Sequence, residues 1–486
     1  MHMCRMDSAP VRRYLGNRAF FSRFLMIALP IAIQNGITNV VGLLDNVMVG
    51  QLGTLPMNGV SIVNQIMLVP YLCLFGAMAG AGIYTAQFFG SGDSDGIRFT
   101  FRFKGMACAF VVTATMLILS FYGANLIRLF LYSSDPQETG TALRYGMDYL
   151  RVAMWGLVPF GISQIYVSTM REVGQTVVPM KAGIAAVFVN VGLNYLLIFG
   201  KCGLPAMGVK GAALATICAR CVEGGVVIVW LHTHGKQFQF VRGLLRSLRI
   251  PPRLFGRILV KCVPLLINEG MWAGGVTMMH QCYSTRGLDA VAGISICATL
   301  SDVFIVFFIA AGDAIAIMVG QLLGADKKEE AKDADRVLCT YSVLGSAVLG
   351  GVMALFAPFF PLLYHTTNHV RSLATGLVLT AALMLPIQAF TNASYFTLRS
   401  GGNTLVTFVF DGLFMWCVAV PLAYAVTRWT SLSILPVYLL CQGTEIVKAV
   451  VGFVLVKKGI WVNNMTKTDK TFGANGENEN LQKNAR

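Results

Sequence analysis

The chain has 486 residues, of which 55% are hydrophobic and only 13% charged, and it carries a formal net charge of +15. Its mean hydropathy is +0.64, whereas a soluble domain carries about 25% charged residues. So much apolar surface cannot be hidden in a soluble core, which leaves an integral membrane protein; nucleic-acid binding is the weaker reading of the positive charge, since no basic surface domain is evident.

The chain opens with a basic, polar segment over 1–23 (Arg5, Arg12, Arg13, Arg18). The first apolar run is already long enough to span, so no cleavable signal is expected. Runs of about 20 apolar residues follow at 24–49, 57–88, 105–130, 149–170, 178–199 and 208–231. After a basic linker over 232–257 come six more, at 258–283, 290–323, 337–362, 375–397, 405–427 and 433–456. The second and eighth are long and interrupted by glycine, so their ends extend past the lipid or bend. A tail over 457–486, rich in Asn, Lys and Thr from about 463, is expected to be disordered. With the N-terminus inside and the spans alternating, inside segments hold 28 of the 38 Lys and Arg and outside segments eight. That asymmetry supports the twelve-span count and places both termini in the cytoplasm. The positive charge then reflects topology and anionic headgroups. The linker interleaves Leu and Phe with arginines and is expected to lie on the inner leaflet.

The two sets of six spans share residues without gaps at an offset of 234. Pro30, Gly53, Gly59, Ser61, Gln87, Gly90 and Arg102 recur as Pro264, Gly287, Gly293, Ser295, Gln321, Gly324 and Arg336. A second echo matches Pro159, Arg171, Gly174 and Thr176 to Pro386, Arg399, Gly402 and Thr404. Six spans per copy is an even number, so both copies enter from the same side and the repeats are parallel. This is a common transporter plan, with the substrate path between the halves. The expected fold is all-α, with twelve transmembrane helices in two six-helix lobes at 24–231 and 258–456.

Ionisable residues at membrane depth are costly and ask for a function. Asp45 lies towards the outer end of the first span. Asn190 and Asn194 share one face of the fifth, and Thr216 lies on the sixth. Together they offer a carboxylate, two amides and a hydroxyl to a proton or a small hard cation. An interhelical hydrogen-bond cluster is the plainer alternative. Glu269 follows Pro264 and Asn268 on the seventh span. Asp302 and Asp313, eleven apart on the eighth, fall on nearly one face, and Asp411 lies on the eleventh. Glu445 and Lys448, and likewise Arg220 and Glu223, have the spacing of internal ion pairs. Pro30 permits a bend in the helix that carries Asp45. Cys218-x-x-Cys221 and His232-x-His234 lack a second ligand pair, and His280 reads as packing, so no metal site is expected beyond sodium at Asp45.

The stretch Leu44-Asp45-Asn-Val-Met-Val-Gly50-Gln-Leu-Gly53, followed by Gln87-Phe-Phe-Gly90-Ser-Gly-Asp93, resembles the multidrug and toxic compound extrusion (MATE) family. So do Arg171-Glu-Val-Gly174, Asn190-Val-Gly-Leu-Asn194-Tyr and Gly208-Val-Lys-Gly211-Ala-Ala-Leu-Ala-Thr216. The resemblance covers roughly 20–460. It implies a V-shaped pair of lobes in a bacterial cytoplasmic membrane, exporting cationic or amphipathic compounds against inward proton or sodium flow. It also implies that Asp45 is the first-lobe coupling acid, with Asn190, Asn194 and Thr216 as its neighbours, and Glu269 the second-lobe acid. Where sodium-driven members add an acid on the tenth helix, this chain offers only Asn392, leaving Asp302, Asp313 and Asp411 as candidate substitutes. No cofactor and no obligate protein partner are implied. The alternative is a lipid-linked precursor flippase of related architecture, which calls for a cavity richer in Arg and Lys. No Ser/His/Asp set or HExxH metal motif favours an enzyme.

Overall fold

The computed structural model describes residues 16–130, 136–244, 247, 249–364 and 366–467. Among these there is no strand, and twelve long helices follow one another. In the first half they are α1 (Arg18–Gly50), α2 (Thr54–Ser91), α3 (Ser94–Arg128), α4 (Gln137–Glu172), α5 (Val177–Phe199) and α6 (Val209–Thr233). In the second half they are α7 (Pro252–Ser284), α8 (Leu288–Gly324), α9 (Lys328–Phe356), α10 (Asn368–Ser400), α11 (Thr404–Trp429) and α12 (Ile434–Lys457). Helix is the form that satisfies every backbone group without water. Eleven of the twelve contain a stretch apolar enough to cross a membrane. The other is α7, where Asn268 and Glu269 interrupt the apolar run. Large apolar side chains such as Phe110, Phe121 and Phe188 stand exposed on these helices, as a lipid-facing surface requires.

The repeat is visible in the helix boundaries. Arg18 and Pro252, Thr54 and Leu288, and Ser94 and Lys328 open equivalent helices, and each pair lies 234 residues apart. Gly53 and Gly287 sit just before α2 and α8 at φ of 114° and 101°, a backbone that a side chain would strain. α4 is interrupted by a 3₁₀ turn at Met154–Gly156 just before Pro159. Pro30, Pro264 and Pro386 lie inside helices that continue through them.

Contacts divide the chain into two compact units that exchange helix ends with the two sequence halves. One runs through Ala32 and includes Ala86–Asp93 and everything from Gly256; the other comprises Ile33–Thr85 and Ser94–Phe255. In the first unit, Phe24, Ile27, Ala28 and Ile31 of α1 share an apolar core with Ala310, Ala314 and Ile315 of α8. The division of α1 falls two residues beyond Pro30.

The linker departs from expectation. Phe238, Phe240, Val241 and Leu244 are buried in protein rather than turned towards lipid. The arginines of α3 explain this: Arg98 donates to the carbonyls of Phe240 and Gln239, and Arg102 to those of Leu244, Gly243 and Arg249. Beyond α12, the segment 458–467 is anchored by the buried Trp461 and Thr466, with Trp461 1% exposed. Residues 468–486 of the expected disordered tail lie outside the described residues.

Candidate functional site

In the unit that holds most of the first half, α5 and α6 approach closely because Gly211 has no side chain. A Cβ there would come within 2.7 Å of the Leu197 carbonyl group. This approach brings Thr216 of α6 beside Asn190 of α5, and α1 supplies Asp45. The polar side chains form one directed chain. Asn194 Nδ2 donates to Asp45 Oδ1 at 2.5 Å and to Asn190 Oδ1 at 3.2 Å. Asn190 Nδ2 donates to Thr216 Oγ1 at 3.4 Å, and Thr216 to the Ala212 carbonyl at 3.1 Å. Asn190 and Asn194 are 1% and 0% exposed. Asn194 Oδ1 is buried with no hydrogen-bond partner, and leaving a buried acceptor unpaired is costly. A carboxylate beside an orphaned amide oxygen is a donor set that fits a hard monovalent cation or a proton.

A cavity of about 40 Å³ adjoins this chain, with Thr38, Asn190, Thr216, Arg220 and Glu223 in its wall. It is the size of roughly one water, far below the volume that a drug-sized ligand fills. Its far wall is an ion-paired network. Arg220 Nη1 lies 2.9 Å from Glu223 Oε2, as the spacing predicts. Gln34 Nε2 donates to Glu223 Oε1 at 3.4 Å, and Arg171 Nη2 donates to Gln34 Oε1 at 2.5 Å.

The second-half candidates divide into two groups. Glu269, Asp313 and Asp411 come close enough to interact electrostatically, with Arg399 among them. Asn392 Oδ1 is buried without a hydrogen-bond partner and faces Gly312, the neighbour of Asp313. Asp302 stands apart, exposed and beside His280. Lys448 pairs with Glu445 as the spacing predicts, with Oε1 3.8 Å away, but it has a nearer acid in Asp411 Oδ1 at 2.6 Å on α11. Asn268 Nδ2 donates to Asp411 Oδ2 at 3.0 Å, and Asn268 Oδ1 accepts from the Gly412 amide at 2.8 Å.

Two organising residues, Gln34 and Asn268, escape a search for charged groups. They occupy equivalent positions of the 234-residue repeat. Each is a buried amide that bridges neighbouring helices. The signal was available: an amide recurs at this position in both copies, four residues after the repeated proline. Among the described residues no group of His, Cys, Asp and Glu is arranged to hold a metal ion.

Comparison with known proteins places these residues in context. The MatE family model matches residues 30–196 and 268–425. The probable multidrug resistance protein NorM of Thermotoga maritima is 26% identical over 444 residues, which is 90% of this chain and 92% of that protein. The multidrug resistance protein MdtK of Yersinia enterocolitica is 26% identical over 409 residues, 82% of this chain and 86% of that protein. A MATE crystal structure in a bent conformation superposes with a TM-score of 0.82 at 17% identity, covering 93% of this chain and 98% of that one. An outward-facing MATE transporter superposes with a TM-score of 0.80 over the same shares.

Proposed function

Because the chain belongs to the MatE family of membrane transporters, we propose that it is an antiporter that exports cationic or amphipathic compounds by alternating access, driven by inward proton or sodium flow. It is a transporter and not an enzyme, and its setting is the bilayer; we assign it to a bacterial cytoplasmic membrane with both termini inside. The relatives named for multidrug resistance support the substrate class.

The observation that carries the coupling assignment is the Asp45–Asn194 pair, in which a membrane-depth carboxylate is bonded to an amide whose own oxygen is buried and unpaired. An incoming proton or sodium ion neutralises Asp45 and redirects the Asn194 hydrogen bonds. The chain through Asn190 to Thr216 carries that change to α6. An ion drives a conformational change only if it binds the two states unequally, and the membrane potential contributes about 2.3 kcal/mol per charge per 100 mV. A flippase for lipid-linked pyrophosphates is less well supported, because Arg220 and Lys448 are already engaged by carboxylates.

The test is efflux of a fluorescent cation from vesicles with pH and sodium gradients imposed separately. One gradient should drive efflux in the wild type. Asp45→Asn should lose it while remaining in the membrane; wild-type-like efflux from that variant would refute the assignment.

A further inference from the structure

The second half contains a cation that is part of the chain. Lys448 Nζ lies 2.6 Å from Asp411 Oδ1, 3.8 Å from Glu445 Oε1 and 5.5 Å from the centre of the Phe410 ring. The other carboxylate oxygens are held from behind. Asn268 donates to Asp411 Oδ2, and Thr391 Oγ1 donates to Glu445 Oε2 at 2.9 Å. α11 widens into a π turn at Val409–Leu413, and Asn268 accepts from Gly412 within that turn. Such turns are rare and concentrate at functional sites. Here the turn carries Asp411, the acid nearest Lys448. Two carboxylates from adjacent helices, each positioned by a neutral donor, together with an aromatic face, form the surroundings in which a monovalent cation is held.

We propose that Lys448 is a tethered counter-cation filling a monovalent-cation site formed by Asp411, Glu445 and the Phe410 ring, so that these acids bind no alkali ion while Lys448 is in place. An ammonium is a compact point charge with three donors. Held on the adjacent helix, it competes for the site intramolecularly, at an effective concentration set by its short tether. The consequence is a division of labour. The first half keeps an acid open to solution ions, and the second half uses its own lysine. Lys448 thereby sets the ion dependence of the transporter by withholding Asp411 and Glu445 from coupling.

The inference extends the reading of the chain as an ion-coupled transporter, and its test is made in full-length Asp45→Asn protein so that it reads the second half whichever ion Asp45 takes. Thermal unfolding in detergent is followed against NaCl or RbCl, with choline chloride holding ionic strength constant. Relative to the Asp45→Asn parent, Lys448→Met should gain a saturable rise in Tm with sodium or rubidium, and adding Asp411→Asn should abolish the gain. If Lys448→Met fails to unfold cooperatively, Lys448→Gln with Glu445→Gln keeps the local net charge and should show a smaller saturable gain, because Asp411 and the Phe410 ring remain. No gain in the cooperatively unfolding variant, or a gain that survives Asp411→Asn, would overturn the proposal.

Discussion

Gly90 lies with its bare Cα against the backbone carbonyl of Gln321. The relationship is reciprocal, because Gly324 lies in the same way against the carbonyl of Gln87. These four residues are two repeat-related pairs, so at this crossing each copy of the repeat supplies the glycine that the other needs. Gln87 also ties down the end of the chain: its Nε2 donates to the Ser400 and Asn463 carbonyls, and its Oε1 accepts from the Met465 amide. The sharing of the two glycines at the 234-residue offset therefore has a steric cause.

Gly90→Ala and Gly324→Ala should each destabilise the folded protein by about 1–3 kcal/mol, the cost of forcing a methyl into packed backbone. A lowered Tm for both, with Gly92→Ala as a strain control away from the crossing, is the expected pattern. Gly92 has open space around its Cα but a φ of 73°, so its cost should be confined to backbone strain. An unchanged Tm for both crossing variants would contradict the contact.

Asn194→Leu removes the amide that bridges Asp45 and Asn190 while keeping a side chain of similar size. Ion-driven efflux should fall by more than about tenfold, equivalent to about 1.4 kcal/mol. The loss should exceed that of Thr216→Val, which sits at the far end of the chain of hydrogen bonds. Initial rates in the vesicle assay decide the order.

Arg220→Met leaves Glu223, whose side chain is 4% exposed, without its ion-pair partner. Stranding a buried charge costs about 3–5 kcal/mol, whereas removing both charges is far milder. The double variant Arg220→Met with Glu223→Gln should therefore recover much of the lost Tm. A double variant no more stable than the single one would show that the two charges are not coupled.

Trp461 is fully buried just past α12, its carbonyl close against Gly401. Its indole Nε1 donates to the Val456 carbonyl at 3.1 Å. Trp461→Ala should cost about 3–5 kcal/mol by the measure of large-to-small core changes, and should release residues 458–467. Limited proteolysis of membrane-embedded protein should then cleave this segment faster in the variant than in the wild type.

The residues on which the site was read were legible for a simple reason. A carboxylate in a long apolar run stands out because burying it is expensive, which singled out Asp45 and Glu269 without any structure. Asn190 and Asn194 were legible from their four-residue spacing. The amides Gln34 and Asn268 were not singled out as organisers, because an amide carries no charge to betray it and its role depends on partners distant in sequence. Lys448 shows the limit most clearly. Its spacing pointed to Glu445 on its own helix, but the closer partner is Asp411, brought near from α11.

The sequence by itself determined the membrane class, the number of spans, the duplication and which acids fall within the apolar runs. All of these are local or periodic properties of composition, enforced by the cost of placing polar groups in lipid. Only the tertiary structure decided which polar groups meet, that the start of α1 and the end of α2 belong with the second half's core, and that the repeated glycines mark a backbone crossing. Those outcomes depend on close packing between helices far apart in the chain, where a missing side chain or a widened turn sets which atoms can touch.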